Sequence, residues 1–133
     1  MPAATTSSAI VVFESRPCHG PELQRQFAHS EIVIRECRSV DDLFLSIDEY
    51  ASSVLVIDPD SGLVEVIEWL GRFATKQSRR TPIIVVGGST DLRELEWILR
   101  EAGVTAFLPD HISGVDLARL CRCQLGLVCR SGT

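Results

Sequence analysis

Five short apolar runs govern what this chain can become: Ile10 to Phe13, Ile32 to Ile34, Val54 to Ile57, Ile83 to Val86 and Val104 to Leu108. They are rich in Val and Ile and nearly continuous rather than alternating, which suits strands covered on both faces. Segments of helical period separate them, and such alternation predicts a parallel sheet flanked by helices. The spacing predicts strands at 9–14, 31–36, 53–58, 82–87 and 104–108. Helices are expected at about 21–29, 40–50, 62–75, 91–102 and 113–129.

Several helix starts are explicit. Ser39-Val40-Asp41-Asp42, Asp91-Leu92-Arg93-Glu94 and Ser113-Gly114-Val115-Asp116 each place a side-chain acceptor at the cap and an acid three residues later. Pro21 can open the first helix, where its missing N–H costs nothing. Gly103 closes the segment 91–102. The small, polar stretch 1–8 is expected to be a flexible tail, leaving residues 9–130 as one domain. A length of 133 residues suits that, and a hydrophobic fraction of 45% can fill its core.

The net charge of −5 argues against a nucleic-acid surface, which needs a basic patch. Lys76, Arg79 and Arg80 do cluster, but just before the fourth run, and read as a solvated loop. The five cysteines, Cys18, Cys37, Cys121, Cys123 and Cys129, are odd in number and form no C-x-x-C pair. They are read as free thiols of a reducing compartment. The first nine residues lack Lys and Arg, and no apolar signal region follows them. No stretch is long enough to span a bilayer. A cytoplasmic protein is expected.

In a parallel sheet the loops that follow the strands gather along one edge. Asp58 directly follows the third run and falls at the centre of that edge. Asp-Pro is also an ordinary turn starter, so Asp58-Pro59 alone does not make a site.

The arrangement of five strand–helix units with an aspartate closing the third strand resembles the receiver domain of two-component response regulators. The resemblance covers nearly the whole chain. It is carried by Val54-Leu55-Val56-Ile57-Asp58 and by Glu101-Ala102-Gly103-Val104-Thr105-Ala106-Phe107-Leu108. It implies a flavodoxin-like (βα)5 three-layer α/β/α sandwich with strand order 2-1-3-4-5. It also implies a signalling module rather than an enzyme, with Asp58 as the phosphoacceptor-equivalent residue and Phe107 as the switch aromatic.

The rest of the implied pocket is degenerate. Glu14-Ser15 stands where receivers place two acids. Gly87 stands where they place a hydroxyl, with Ser89 or Thr90 as substitutes if the register shifts by two. Asp110-His111 falls at the lysine–proline position, with Pro109 one residue early. The loop Asp58-Pro59-Asp60-Ser61-Gly62 reaches its glycine sooner than in receivers. Mg²⁺ would be held only weakly, by Glu14 and Asp58, and no other cofactor is expected. Phosphoryl transfer rests on positioning and charge neutralisation. Losing one preorganised donor costs about 2.7–4 kcal/mol. Asp58 is therefore expected to be phosphorylated poorly or not at all.

Glu14, Cys18, His19, Asp58, Asp110 and His111 are also brought toward one edge. They include ligand types suited to Zn²⁺, without the tight spacing of an established metal motif. A buried or idle Cys18 is the simpler reading.

On the segment 91–102, Leu92, Leu95, Ile98, Leu99 and Ala102 form an apolar stripe. Trp97 lies nearly opposite it, among Arg93, Glu94, Arg100 and Glu101, and is expected to be exposed. In receivers this helix, the fifth strand and the last helix form the face used for partners and dimers. Trp97, Arg100 and Leu120 are the candidate interaction residues, for a protein partner or a second copy. Trp69 is expected to be partly buried, Cys121 in the core and Cys123 accessible. A working receiver using Asp58, Glu14 and Mg²⁺ is the first alternative. A flavodoxin-like domain holding a small anion at Gly87-Gly88-Ser89-Thr90 is the second. The sequence contains no Ser/His/Asp triad.

Overall fold

The computed structural model describes residues 8–47, 49–50, 52–58, 65, 68, 72, 81–87, 96–101, 104–108 and 112–126. Five strands lie among them: β1 (Ser8–Phe13), β2 (Val33–Cys37), β3 (Ser52–Ile57), β4 (Ile83–Val86) and β5 (Ala106–Leu108). Four helices accompany them: α1 (His19–Gln26), α2 (Val40–Ile47), α3 (Glu96–Glu101) and α4 (Gly114–Gln124). Between β3 and β4, Glu65, Glu68 and Arg72 are helical and exposed. Their spacing puts them on one polar face of the helix expected over 62–75.

Every pairing is parallel, and the strand order is β2-β1-β3-β4-β5, as expected. The order reverses between β1 and β3, so the crevice beyond their carboxyl ends is where such sheets hold ligands. Alternate side chains of the central strands serve two cores. Val11, Phe13, Leu55, Ile57, Ile83 and Val85 face α2 through Leu43. Ile10, Val12, Val54, Val56, Ile84 and Val86 face α1 and α4 through Leu23, Leu117 and Cys121. That double burial is why the runs read as continuous, each large side chain contributing about 1.5–3 kcal/mol.

Two caps are as expected. Ser39 Oγ accepts the Asp42 N–H at 3.2 Å, and Ser113 Oγ accepts the Asp116 N–H at 3.1 Å. Most element boundaries shift by a few residues, and four of the shifts bear on the fold. β1 starts at Ser8, whose hydroxyl meets that of Ser52 at 3.0 Å, so the expected tail loses its last residue. β2 runs one to two residues later than expected. It is an edge strand, and Arg35 and Glu36 remain half-exposed there. β4 stops at Val86. The last helix ends at Gln124 rather than 129, because Gly126 takes φ +78° and donates its N–H to the Cys123 carbonyl at 3.1 Å. A left-handed glycine just past the last turn is a helix stop.

The expectation of five free thiols is corrected. Cys37 and Cys121 are buried thiols, but Cys123 is disulfide-bonded. Burial pushes the Cys121 thiol up to about 12. Among the described residues no helix is long and apolar enough to cross a membrane. Trp69, Lys76, Arg79, Arg80, Asp91, Gly103 and Cys129 lie outside the described residues.

Candidate functional site

The sheet register sets the site. Phe13 pairs with Cys37 on one side and Ile57 on the other. The next residue of each strand, Arg38, Glu14 and Asp58, therefore stands in one row across the carboxyl edge. Asp58 follows β3 directly and is half-buried, and its N–H donates to the Phe13 carbonyl at 2.9 Å. Glu14 is fully buried.

The Glu14 carboxylate organises the start of α1. Its Oε2 accepts the N–H of Cys18 at 2.9 Å and of Gly20 at 2.9 Å, and its Oε1 accepts the N–H of His19 at 3.0 Å. A helix leaves its first four N–H groups without intrahelical partners. Here Cys18, the cap residue, supplies no side-chain cap bond to the helix. Glu14 satisfies three of the four donors, and the fourth position is Pro21, which has no N–H. The expectation that Pro21 opens the helix is refined: the helix begins at His19 and Pro21 sits inside its first turn.

Three of the roughly four lone-pair positions of this carboxylate are thus occupied by backbone donors. Ser15, the neighbour in the second acidic position, is exposed. Gly87 follows β4 with φ +93°, is buried, and donates its N–H to the Leu108 carbonyl at 2.8 Å. A positive φ favours glycine and disfavours a β-branched side chain. The local backbone therefore explains why the hydroxyl position is a glycine. Ser89, Thr90, Asp110 and His111 lie outside the described residues, as do Pro109 and the loop 59–62.

Arg38 is the residue that sequence reasoning missed. Its guanidinium donates from Nη1 to the Glu14 carbonyl oxygen at 3.1 Å and from Nη2 to Glu36 Oε1 at 3.2 Å. The carboxyl edge therefore holds a cation, on the β2 flank of Asp58 rather than at the end of β5. Placing the end of β2 at Cys37 instead of residue 36 would have found it.

Away from this row, Trp97 on α3 is 63% exposed, as expected. Arg100, on the same helix, lies over the Phe107 ring at 4.8 Å from its centroid. Phe107 is half-buried and packs against the α2-side core. Leu120 lies on the other side of the sheet, half-buried against the α1/α4 core. The structure therefore brings Arg100 and Phe107 together, with Trp97 three residues before Arg100 on α3, and packs Leu120 against the other face of the sheet.

Among solved structures with this architecture is the signal receiver domain of an HD domain-containing protein from Pseudomonas fluorescens Pf-5. It matches with a TM-score of 0.73 at 16% identity, over 92% of this chain and 89% of that one. This is the receiver fold. ShkA Rec1 in complex with c-di-GMP matches with a TM-score of 0.58 at 16% identity, over 92% of this chain and 95% of that one. No family model matches the sequence, and no curated protein does. The receiver-like chain thus shares its topology with these domains at low identity.

Proposed function

We propose that this chain is a degenerate receiver: a signalling module of the two-component type that acts by protein contact rather than by taking up a phosphoryl group, and is not itself an enzyme. The observation that carries this reading is the state of Glu14. In a phosphorylating pocket the acids after the first strand hold Mg²⁺, which needs several oxygen ligands in near-octahedral geometry. Here that carboxylate caps α1, its neighbour is Ser15, and Gly87 offers no hydroxyl. Arg38 is the nearby cation, and its guanidinium is shared between Glu14 and Glu36. The signal is read out instead at the face around Trp97 and Arg100, with Phe107 beneath, by a protein partner or a second copy.

The test is incubation with Mg²⁺ and a small-molecule phosphodonor, followed by intact-mass measurement of the wild type and Asp58→Asn. No Asp58-dependent adduct is expected. A stoichiometric adduct lost in Asp58→Asn would establish the working receiver instead.

A second reading concerns the same face. Arg100 stacked on Phe107, beside exposed Trp97, presents flat cationic and aromatic surfaces. Guanine edges are bound well by arginine and its faces by aromatic rings. A guanine dinucleotide such as the one in the ShkA Rec1 complex is the ligand class that such a surface fits. Calorimetric titration with c-di-GMP, repeated on Arg100→Ala, separates this reading from protein contact alone.

A further inference from the structure

Glu14 also belongs to a cluster with two side chains, Cys18 and His19, that the reading above does not use. The carboxylate of Glu14, the thiol of Cys18 and the imidazole of His19 place one ligand atom each within 4.8 Å of one another. We propose that they form a binding site for a borderline divalent transition ion, of which Zn²⁺ is the type. The site has three protein ligands and one open position.

The chemistry of the donors selects the ion. One oxygen, one nitrogen and one sulfur do not suit Mg²⁺ or Ca²⁺, which take oxygen shells. They do suit Zn²⁺, which accepts carboxylate, imidazole and thiolate at about 2.0–2.3 Å. In a tetrahedral site such bonds put ligand atoms about 3.5 Å apart. Closing from 4.8 Å needs only side-chain rotations at Cys18, which is exposed, and His19, which is half-exposed.

The backbone prepares the site. The amides of Cys18 and His19 both donate to the Glu14 carboxylate, so their side chains leave the chain at its flank. Oε2 accepts two of these bonds and Oε1 accepts one. Oε1 therefore keeps a lone pair for a monodentate bond to the ion. Carboxylate and thiolate together supply two negative charges against the ion's two positive ones. The nearby Arg38 guanidinium is already paired with Glu36 at 3.2 Å. An ion held here would tie the loop after β1 to the start of α1, next to the row that holds Asp58. This inference is independent of whether Asp58 is phosphorylated.

The test is titration of the full chain with Co²⁺ and Zn²⁺, in the wild type and in Cys18→Ser, His19→Ala and His29→Ala. The expected result is one ion per chain, with a thiolate-to-Co²⁺ charge-transfer band that Zn²⁺ displaces. Cys37 and Cys121 are buried, so Cys18→Ser should abolish the band. His19→Ala should weaken binding at least about tenfold, and His29, exposed on the turn after α1, should not matter. Both ligand substitutions are at surface side chains, and circular dichroism confirms that the variants fold. Failure to bind either ion stoichiometrically, or binding and a band that survive Cys18→Ser, overturns the proposal. Saturable Mg²⁺ binding of equal strength would do the same.

Discussion

The Glu14 carboxylate and the Gly20 amide meet at 2.9 Å in a buried hydrogen bond that spans the entire loop between β1 and α1. A single side chain thus stands in for the missing cap of α1. Removing it strands several donors at once, and an unsatisfied buried donor costs about 1–3 kcal/mol. Glu14→Ala is expected to lose at least about 2 kcal/mol in urea denaturation, with Glu14→Gln intermediate because one oxygen acceptor remains. An unchanged midpoint for Glu14→Ala would mean that water serves these amides equally well.

Gly87 bears on how far the pocket can be repaired. With φ at +93°, an L side chain there is strained, by about 1–2 kcal/mol for left-handed backbone and more for a β-branched residue. Gly87→Thr restores the hydroxyl of receivers at that position. It should lower stability by at least about 1 kcal/mol in thermal unfolding, and it should not bring phosphorylation with it, because Ser15 still stands in the second acidic position and Asp110 in place of the lysine. A stable, phosphorylatable Gly87→Thr protein would contradict both parts.

Trp97 is placed to report its own environment. In a Trp69→Phe background, its emission should be that of a water-exposed indole and should be quenched efficiently by acrylamide, given 63% exposure. On the proposed reading a partner or second copy covers it. Hot-spot tryptophans contribute about 2 kcal/mol or more. Trp97→Ala should therefore weaken association more than tenfold in sedimentation or pull-down measurements while leaving the fold intact. Leu120→Ala, on the other face of the sheet and packed on the core, should act on stability first.

Alkaline stability depends on Cys121. Burial raises its thiol from the ordinary 9.0 to about 12 in the folded chain. The unfolded chain then loses this proton first as pH rises. The stabilisation is complete below pH 9 and disappears as pH climbs toward 12. One pH unit corresponds to about 1.4 kcal/mol. Urea midpoints of the wild type should fall across this interval. Cys121→Ala should start lower from its cavity but show a shallower slope. Cys37, also raised by burial, adds to the same trend.

The sheet was legible in the linear order of residues because a fully buried strand leaves a plain trace. Ile10 to Phe13, Val54 to Ile57 and Ile83 to Val86 each bury both faces, so no polar residue interrupts them. The caps at Ser39 and Ser113 were legible for a similar reason, since each is a local bond within one turn. Asp58, Glu14 and Gly87 were correctly set at the carboxyl edge, and the exposure of Trp97 followed from helical spacing alone.

Other features depended on contacts between distant segments. Arg38 became part of the edge only once strand register aligned Cys37 with Phe13. The role of Glu14 as the cap of α1 appears only when the loop folds back over the strand end, since carboxylate bonds to amides four to six residues ahead have no periodic signature. The helix stop at Gly126 likewise depends on a backbone turn that composition does not reveal. Periodicity and local hydrogen bonding determined the layers and their order. Three-dimensional closure decided which polar groups meet at the edge, because hydrophobic patterning specifies which face is buried but not which loop side chains converge.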